Sequence, residues 1–270
     1  HFWTRGRQLG LSDEFGAYCL ERVAAEQGKF AHLPQNGLNY AYHLDASKYA
    51  MFLRNLAEQA GIRRIDARIE QVATREDNGY IRHLQLDNGE KIEGDLFIDC
   101  TGFRGLLIEE TLHTGYEDWS HWLLCDSAVA VQTESVSLPL PYTRSIAHKD
   151  GWQWRIPLQT RVGNGLVFCS KYLSERDAIT RLTDNIEGAP LNSPRVIKFR
   201  PGRRTKQWNR NCVSLGLASG FIEPLESTSI HLIQQGIVRL LRMFPHDEIR
   251  PAIVDEFNRQ CVDEIEHIRD

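Results

Sequence analysis

The residue types that could do chemistry concentrate in one run, Ser214-Leu215-Gly216-Leu217-Ala218-Ser219-Gly220-Phe221-Ile222-Glu223-Pro224-Leu225-Glu226-Ser227-Thr228-Ser229-Ile230. A short apolar strand feeding Gly216, Ala218 and Gly220 lets backbone approach a flat or phosphorylated ligand, because no large side chain stands in the way. The pattern then predicts a long helix from about Glu226 to Phe244, ended by Pro245. Its first N–H groups, around Thr228 and Ser229, suit an anion, since unsatisfied donors and the helix dipole act together there. The bland alternative is an ordinary glycine turn with Ser227 or Thr228 as a cap. Glu226 falls where a carboxylate commonly complements the helix dipole, and pattern alone leaves a chemical role beside that one open.

Other chemistries find little support. The ten histidines hold no H-x-x-x-H pair and the six cysteines no C-x-x-C, so a metal site is not expected. A hydrolase nucleophile elbow is missing as well. Trp152 and Trp154 alternate on a predicted strand and so share a face, which taken alone reads as sheet packing.

The elements that must position these residues alternate between helix and strand. Ser12-Asp13-Glu14 opens a helical pattern through Phe15, Tyr18, Cys19 and Val23 to Gly28. A second helix is capped by Asp45, carries Tyr49, Phe52, Leu53 and Leu56 on one face, and ends at Gly61. Strands follow at 65–73, 80–86 and 91–100, separated by the turn signals Asn78-Gly79 and Asp87-Asn88-Gly89. The third includes Leu96-Phe97-Ile98, a triplet suited to a strand covered on both faces, and leaves the sheet through Asp99-Cys100-Thr101-Gly102. Further strands are predicted at 128–133, 151–156, 166–172 and 211–216, with a helix from Ser174 to about Asn185. The expected architecture is α/β with an inserted mixed sheet.

Bulk properties permit an enzyme and narrow its partners. The 270 residues carry a net charge of −4 without long blocks of either sign, which argues against nucleic acid or a membrane surface. No apolar run is long enough to span a bilayer, and scattered cysteines fit a reducing cytoplasm. The chain opens without methionine and stops in a helical pattern, so we expect it to be part of something longer.

Three ordered motifs carry a resemblance. The run Gly216 to Ile230, with Glu-Pro-Leu-Glu-Ser-Thr at its centre, closely resembles the tryptophan halogenases. Trp152-Gln153-Trp154-Arg155-Ile156-Pro157 matches that family's W-x-W-x-I-P signature, with Trp152, Trp154, Ile156 and Pro157 as the signature positions. Gly94 to Gly105 is similar to its strand and turn beside the flavin nucleotide, and Phe199-Arg200-Pro201-Gly202-Arg203-Arg204 is familial too.

The resemblance implies an FAD-binding, Rossmann-like α/β flavoprotein of the aromatic-hydroxylase type. The whole of 1–270 would be a partial halogenase domain, with FAD-side elements at about 40–110 and 195–245 and a substrate-side sheet at about 120–190. FADH2, delivered by a separate flavin reductase, would form a flavin hydroperoxide with oxygen. Chloride or bromide would then give hypohalous acid, which travels to a lysine near an electron-rich aromatic substrate such as indole or tryptophan. Thr228 and Ser229 would hold the halide on backbone N–H groups. Glu226 would stabilise the cationic ring and take its proton, and Ser227 would help carry the halogen. Thr101, Gly102, Gly216, Ala218, Gly220 and Pro224 would line the cofactor. Trp152 and Trp154 would keep organic substrate from the flavin by bulk. A homodimer is compatible with the family.

Two departures stand out. Indole-specific members usually have glycine where this chain has Ser229. No G-x-G-x-x-G occurs, and the family's essential lysine belongs to the same N-terminal part, so none of the lysines here takes that role. We therefore expect no halogenation from this segment unaided. A flavin-dependent aromatic monooxygenase would share the fold and the glycine turn, although Trp152 and Trp154 discriminate against it. A truncated, non-catalytic paralogue or fragment is the third reading.

Overall fold

The computed structural model describes residues 2–32, 35, 39–225 and 227–270. They form a mixed α/β chain that divides into two compact units, one of His1–Ile62 with Ala128–Ile197, the other of Arg63–Ser127 with Lys198–Asp270.

The first segment contributes α1 (Phe2–Gln8), α2 (Leu20–Glu26) and α3 (Ala46–Gln59). The helix expected from Ser12 to Gly28 is broken, because Cys19 is extended and divides a 3-10 turn at Phe15–Tyr18 from α2. Helix α3 follows expectation at both ends. The Asp45 carboxylate accepts from the N–H groups of Ser47 and Lys48 at 3.0 and 3.3 Å, and Gly61 adopts φ 88° beyond the C-terminus. Its apolar face is another matter: Tyr49, Phe52, Leu53 and Leu56 are all exposed, so helical period is present without burial.

The second unit begins with the antiparallel meander β1 (Ile69–Thr74), β2 (Ile81–Leu86) and β3 (Lys91–Glu93). Both expected turns form, with Gly79 at φ 69° and Gly89 at φ 83°. Asn78 and Asn88 each accept a backbone N–H two residues on, from Tyr80 and Glu90. The expected strand 91–100 is two strands, because the chain leaves the meander at Gly94 and re-enters pairing as β4 (Phe97–Asp99). Only one face of β4 is covered: Phe97 and Asp99 are buried, whereas Ile98 is 49% exposed, which corrects the expectation of burial on both faces. A π-helix at Leu106–Thr111 and β5 (Tyr116–Asp118) follow.

Returning to the first unit, β6 (Ser127–Thr133), β7 (Arg144–His148), β8 (Gly151–Pro157), β9 (Val162–Phe168), α4 (Glu175–Asp184) and β10 (Arg195–Lys198) build a five-stranded sheet in the order β10-β6-β9-β8-β7, with α4 against it. Strand β9 lies four residues earlier than its expected start at 166 and ends at Phe168, where a turn leads into α4. Ser174 caps α4 by accepting from Asp177 N–H at 3.2 Å. Val129, Val131, Leu166, Phe168, Ala178 and Leu182 form the core, each worth about 1.5–3 kcal/mol where a large side chain is fully buried.

The second unit closes with β11 (Gly202–Arg204), β12 (Trp208–Asn209), β13 (Cys212–Ser214), β14 (Gly220–Phe221), α5 (Ser229–Arg242) and α6 (Pro251–Arg269). Strand β13 runs parallel to β4 and antiparallel to β12, and β11 lies between β14 and β5. Helices α5 and α6 pack Leu240, Phe257 and Cys261 against Trp208, Val213 and Leu215. Asn258 completes the strand edge: its side chain accepts from Trp208 N–H and donates to Trp208 carbonyl, both at 2.8 Å. Helix α5 is shorter than expected, starting three residues after Glu226 and stopping at Arg242.

Candidate functional site

In the second unit, the parallel pair β4 and β13 delivers two turns side by side, Gly102–Arg104 and Gly216–Ala218. The first is built around Asp99, whose carboxylate is fully buried. One oxygen accepts from Thr101 N–H at 2.9 Å and Thr101 Oγ1 at 2.7 Å, the other from the N–H groups of Leu107 and Ile108 at 2.8 Å. Thr101 Oγ1 in turn accepts from Leu106 N–H at 2.7 Å, so Thr101 acts structurally within the loop. Burial, reinforced by the Asp99 charge, raises the Cys100 thiol above its ordinary value. Gly102 has φ 77°, and a Cβ there would have no neighbour within 4 Å, so its backbone faces open space.

The second turn is tighter. Gly216 has φ 64°, and its carbonyl accepts from Ser219 N–H at 3.0 Å and Ser219 Oγ at 2.7 Å. Ala218 is wholly buried, and its carbonyl accepts from Arg204 Nε at 3.0 Å. Gly220 is needed for packing within the protein: a Cβ would stand 2.6 Å from the carbonyl oxygen of Gly202 in β11. Ala218 and Gly220 thus pack behind the turn, while Gly102 and Gly216 are both left-handed glycines. Open space at Gly102 beside a left-handed Gly216 fits a flat, polar-edged group such as a flavin, while the nucleotide turn G-x-G-x-x-G is not found in the sequence.

Beyond this turn, Ser227 N–H donates to Pro224 carbonyl at 3.0 Å and Ser227 adopts φ 58°, an uncommon conformation for a side-chain-bearing residue. Thr228 is the N-cap of α5 with no side-chain cap hydrogen bond, and Ser229 is the first helical residue. Both are half-buried, and the first turn contains no acidic residue. Glu226, the expected catalytic carboxylate, lies outside the described residues.

In the first unit, β8 places Trp152, Trp154 and Ile156 on one half-buried face and Gln153, Arg155 and Pro157 on the buried one. The two indoles lie 5.9 Å apart between centroids. Gly165, paired with Trp154 from β9, makes room for that ring. A cleft of about 1000 Å³ in the same unit is lined by Tyr40, Tyr42, His43, Leu140, Pro157 and Leu158 among others. His43 bridges Pro157 carbonyl at 3.0 Å through Nδ1 and Thr143 Oγ1 at 3.2 Å through Nε2. A carbonyl only accepts, so Nδ1 carries the proton.

Sequence reasoning placed Asp99 and Arg204 inside its motifs without giving either a role, and it did not single out Gly165. An aspartate ending an apolar strand and a glycine opposite a tryptophan were the available signals.

The whole chain, residues 1–270, matches the family model described as Tryptophan halogenase. It is 38% identical over 280 residues to "Tryptophan 6-halogenase ThaL" of Streptomyces albogriseolus, covering 100% of this chain and 52% of that protein. Among solved structures it is similar to Xcc4156, a flavin-dependent halogenase from Xanthomonas campestris, with TM-score 0.95 and 56% identity over 100% of this chain and 54% of that one. It is also similar to BrvH, a flavin-dependent halogenase from Brevundimonas sp. BAL3, with TM-score 0.94 and 48% identity over 100% and 56%. The chain spans about half the length of the curated relatives it matches.

Proposed function

The chain belongs to the tryptophan halogenase family, and on that premise we propose that it carries the flavin-turn and halide-loop half of an FADH2-dependent halogenase acting on an electron-rich aromatic such as indole or tryptophan. FADH2, delivered by a separate flavin reductase, would on binding supply with O2 the two-electron oxidation of chloride or bromide. The protein's own contribution is binding, orientation and proton transfer.

Thr101 holds the first turn in shape while Gly102 and Gly216 offer backbone to the flavin; Ala218, Gly220 and Pro224 support that surface. Thr228 and Ser229 receive the halide on main-chain N–H groups, where the helix dipole favours an anion. Glu226 takes the proton from the halogenated ring, a general-base role worth about 10²–10⁴ in rate, and Ser227 guides the halogen past the same loop. Trp152 and Trp154 act by bulk. The family's lysine and the nucleotide turn would come from sequence other than these 270 residues, so the segment alone does not halogenate. The protein acts in the cytoplasm, where its six cysteines stay reduced.

One observation carries the reading: left-handed Ser227 stands two residues before α5, whose N-cap Thr228 makes no side-chain cap hydrogen bond among the described residues. The test supplies FAD, a flavin reductase, NADH, oxygen and bromide to the protein carrying this segment and follows a panel of indoles by mass spectrometry. A brominated product that is lost in Glu226→Gln supports the assignment. Hydroxylated product without bromine would move it to an aromatic monooxygenase.

A further inference from the structure

We propose that Arg204 is a positioning residue for the cofactor surface, clamping the Gly216–Ala218 turn to the helix that follows the Gly102–Arg104 turn so that both keep one geometry. The proposal rests on the reading of those turns as flavin-facing, and on contacts that lie within the second unit. Arg204 is only 4% exposed. Its Nε donates to Ala218 carbonyl at 3.0 Å, and its Nη1 to Glu109 Oε2 at 2.8 Å. Its main chain reaches the same turn, since Arg204 N–H donates to Ser219 carbonyl at 2.8 Å. One residue therefore fixes two successive carbonyls of the turn.

The other end of the clamp is equally anchored. Glu109 lies in the π-helix Leu106–Thr111, and its Oε2 also accepts from Gly115 N–H at 3.0 Å. That helix starts on the Asp99 carboxylate, which accepts from Leu107 and Ile108, and Glu109 N–H donates to Gly105 carbonyl at 2.8 Å. Gly105, at φ 58°, leaves room for the guanidinium: a Cβ there would stand 2.6 Å from Arg204 Nη2. A π-helix is rare and frequently found at functional sites, and here it supplies the carboxylate that faces Arg204. A guanidinium suits the task because its planar fork donates in two fixed directions; an ammonium is a point charge that cannot span both acceptors.

The test uses the full 270-residue chain with Arg204→Met, Arg204→Lys and Glu109→Gln, the last a change at a partly exposed partner that serves if Arg204→Met does not fold. Hydrogen exchange followed by mass spectrometry reads the segments 102–107 and 216–221 against β6 to β9 as an internal control. Losing hydrogen bonds made by a charged donor should speed exchange in the two segments by about tenfold or more, with the control unchanged, and Arg204→Lys should not restore it. Unchanged exchange in both segments overturns the clamp, as does an acceleration spread evenly over the chain or full rescue by lysine. Titration of the protein carrying this segment with FAD, read by flavin fluorescence, separates the two ideas: local loosening in Arg204→Met with FAD affinity unchanged from the unsubstituted protein keeps the clamp and removes the flavin assignment.

Discussion

Trp154 lies across Gly165: the two are paired between β8 and β9, and a Cβ on the glycine would overlap the indole. The glycine is therefore a seat for the ring, and the ring's position depends on a missing methyl group. Gly165→Ala should displace Trp154 and cost about 1–3 kcal/mol, the usual penalty for overfilling a packed site. Urea unfolding gives the stability, and near-UV circular dichroism reports the Trp152–Trp154 pair, whose centroids are 5.9 Å apart. An alanine variant with native stability and an unaltered near-UV spectrum would mean that the ring has another place to lie.

Asp99→Asn tests the loop that carries Gly102. Each carboxylate oxygen accepts two hydrogen bonds, and an amide presents an NH2 to one pair of donors. Leaving buried donors unsatisfied costs about 1–3 kcal/mol each. The expected result is a lower unfolding midpoint with faster amide exchange at either Thr101 or Leu107 and Ile108, depending on how the amide settles. Retention of full protection at all three would show that the carboxylate is not what orders the loop.

These two cases show what was legible in the sequence and what was not. Hairpin turns at Gly79 and Gly89, the Asp45 cap, the helix expected from Ser174 and the Trp152/Trp154 face follow from local stereochemistry, and each is present. Boundaries failed where non-local pairing decides: 91–100 splits because β4 pairs with β13, more than a hundred residues away. The exposed face of α3 shows that amphipathic period alone does not specify what covers a helix. At the site, the motif named the residues that would meet ligands. The roles of Arg204 and Asp99 were hidden because several of their partners, the Ala218 carbonyl and Ile108 N–H among them, are backbone groups that leave no mark on the sequence.

Alkaline titration tests the surroundings of Arg204. Burial pushes the Tyr116 hydroxyl up from 10 to about 12, outweighing the guanidiniums of Arg200 and Arg204, which lie over its ring and pull the other way. Because the folded value exceeds the unfolded one, the associated stability is fully present below pH 10 and is lost as pH rises toward 12. Absorbance at tyrosinate wavelengths should show a last ionisation near the unfolding transition, and Tyr116→Phe should remove it. If the phenylalanine variant keeps that late phase, the group is not Tyr116.

The halide loop makes a sharper demand. Under the proposed role, the halide contacts main-chain N–H groups of Thr228 and Ser229, so the Ser229 side chain is dispensable. Ser229→Gly keeps the N–H and, at the first helical position, should cost the helix no more than about 1 kcal/mol. Bromide dependence of bromination in the protein carrying this segment should then stay within about threefold, a span of under 1 kcal/mol. Glu226→Gln should behave differently: the bromide requirement is retained while turnover falls by about 10²–10⁴, because a proton acceptor is lost and an anion site is not. A strong loss of bromide affinity in Ser229→Gly would assign the halide to the hydroxyl, and an unchanged turnover in Glu226→Gln would take the proton-accepting role away from that carboxylate.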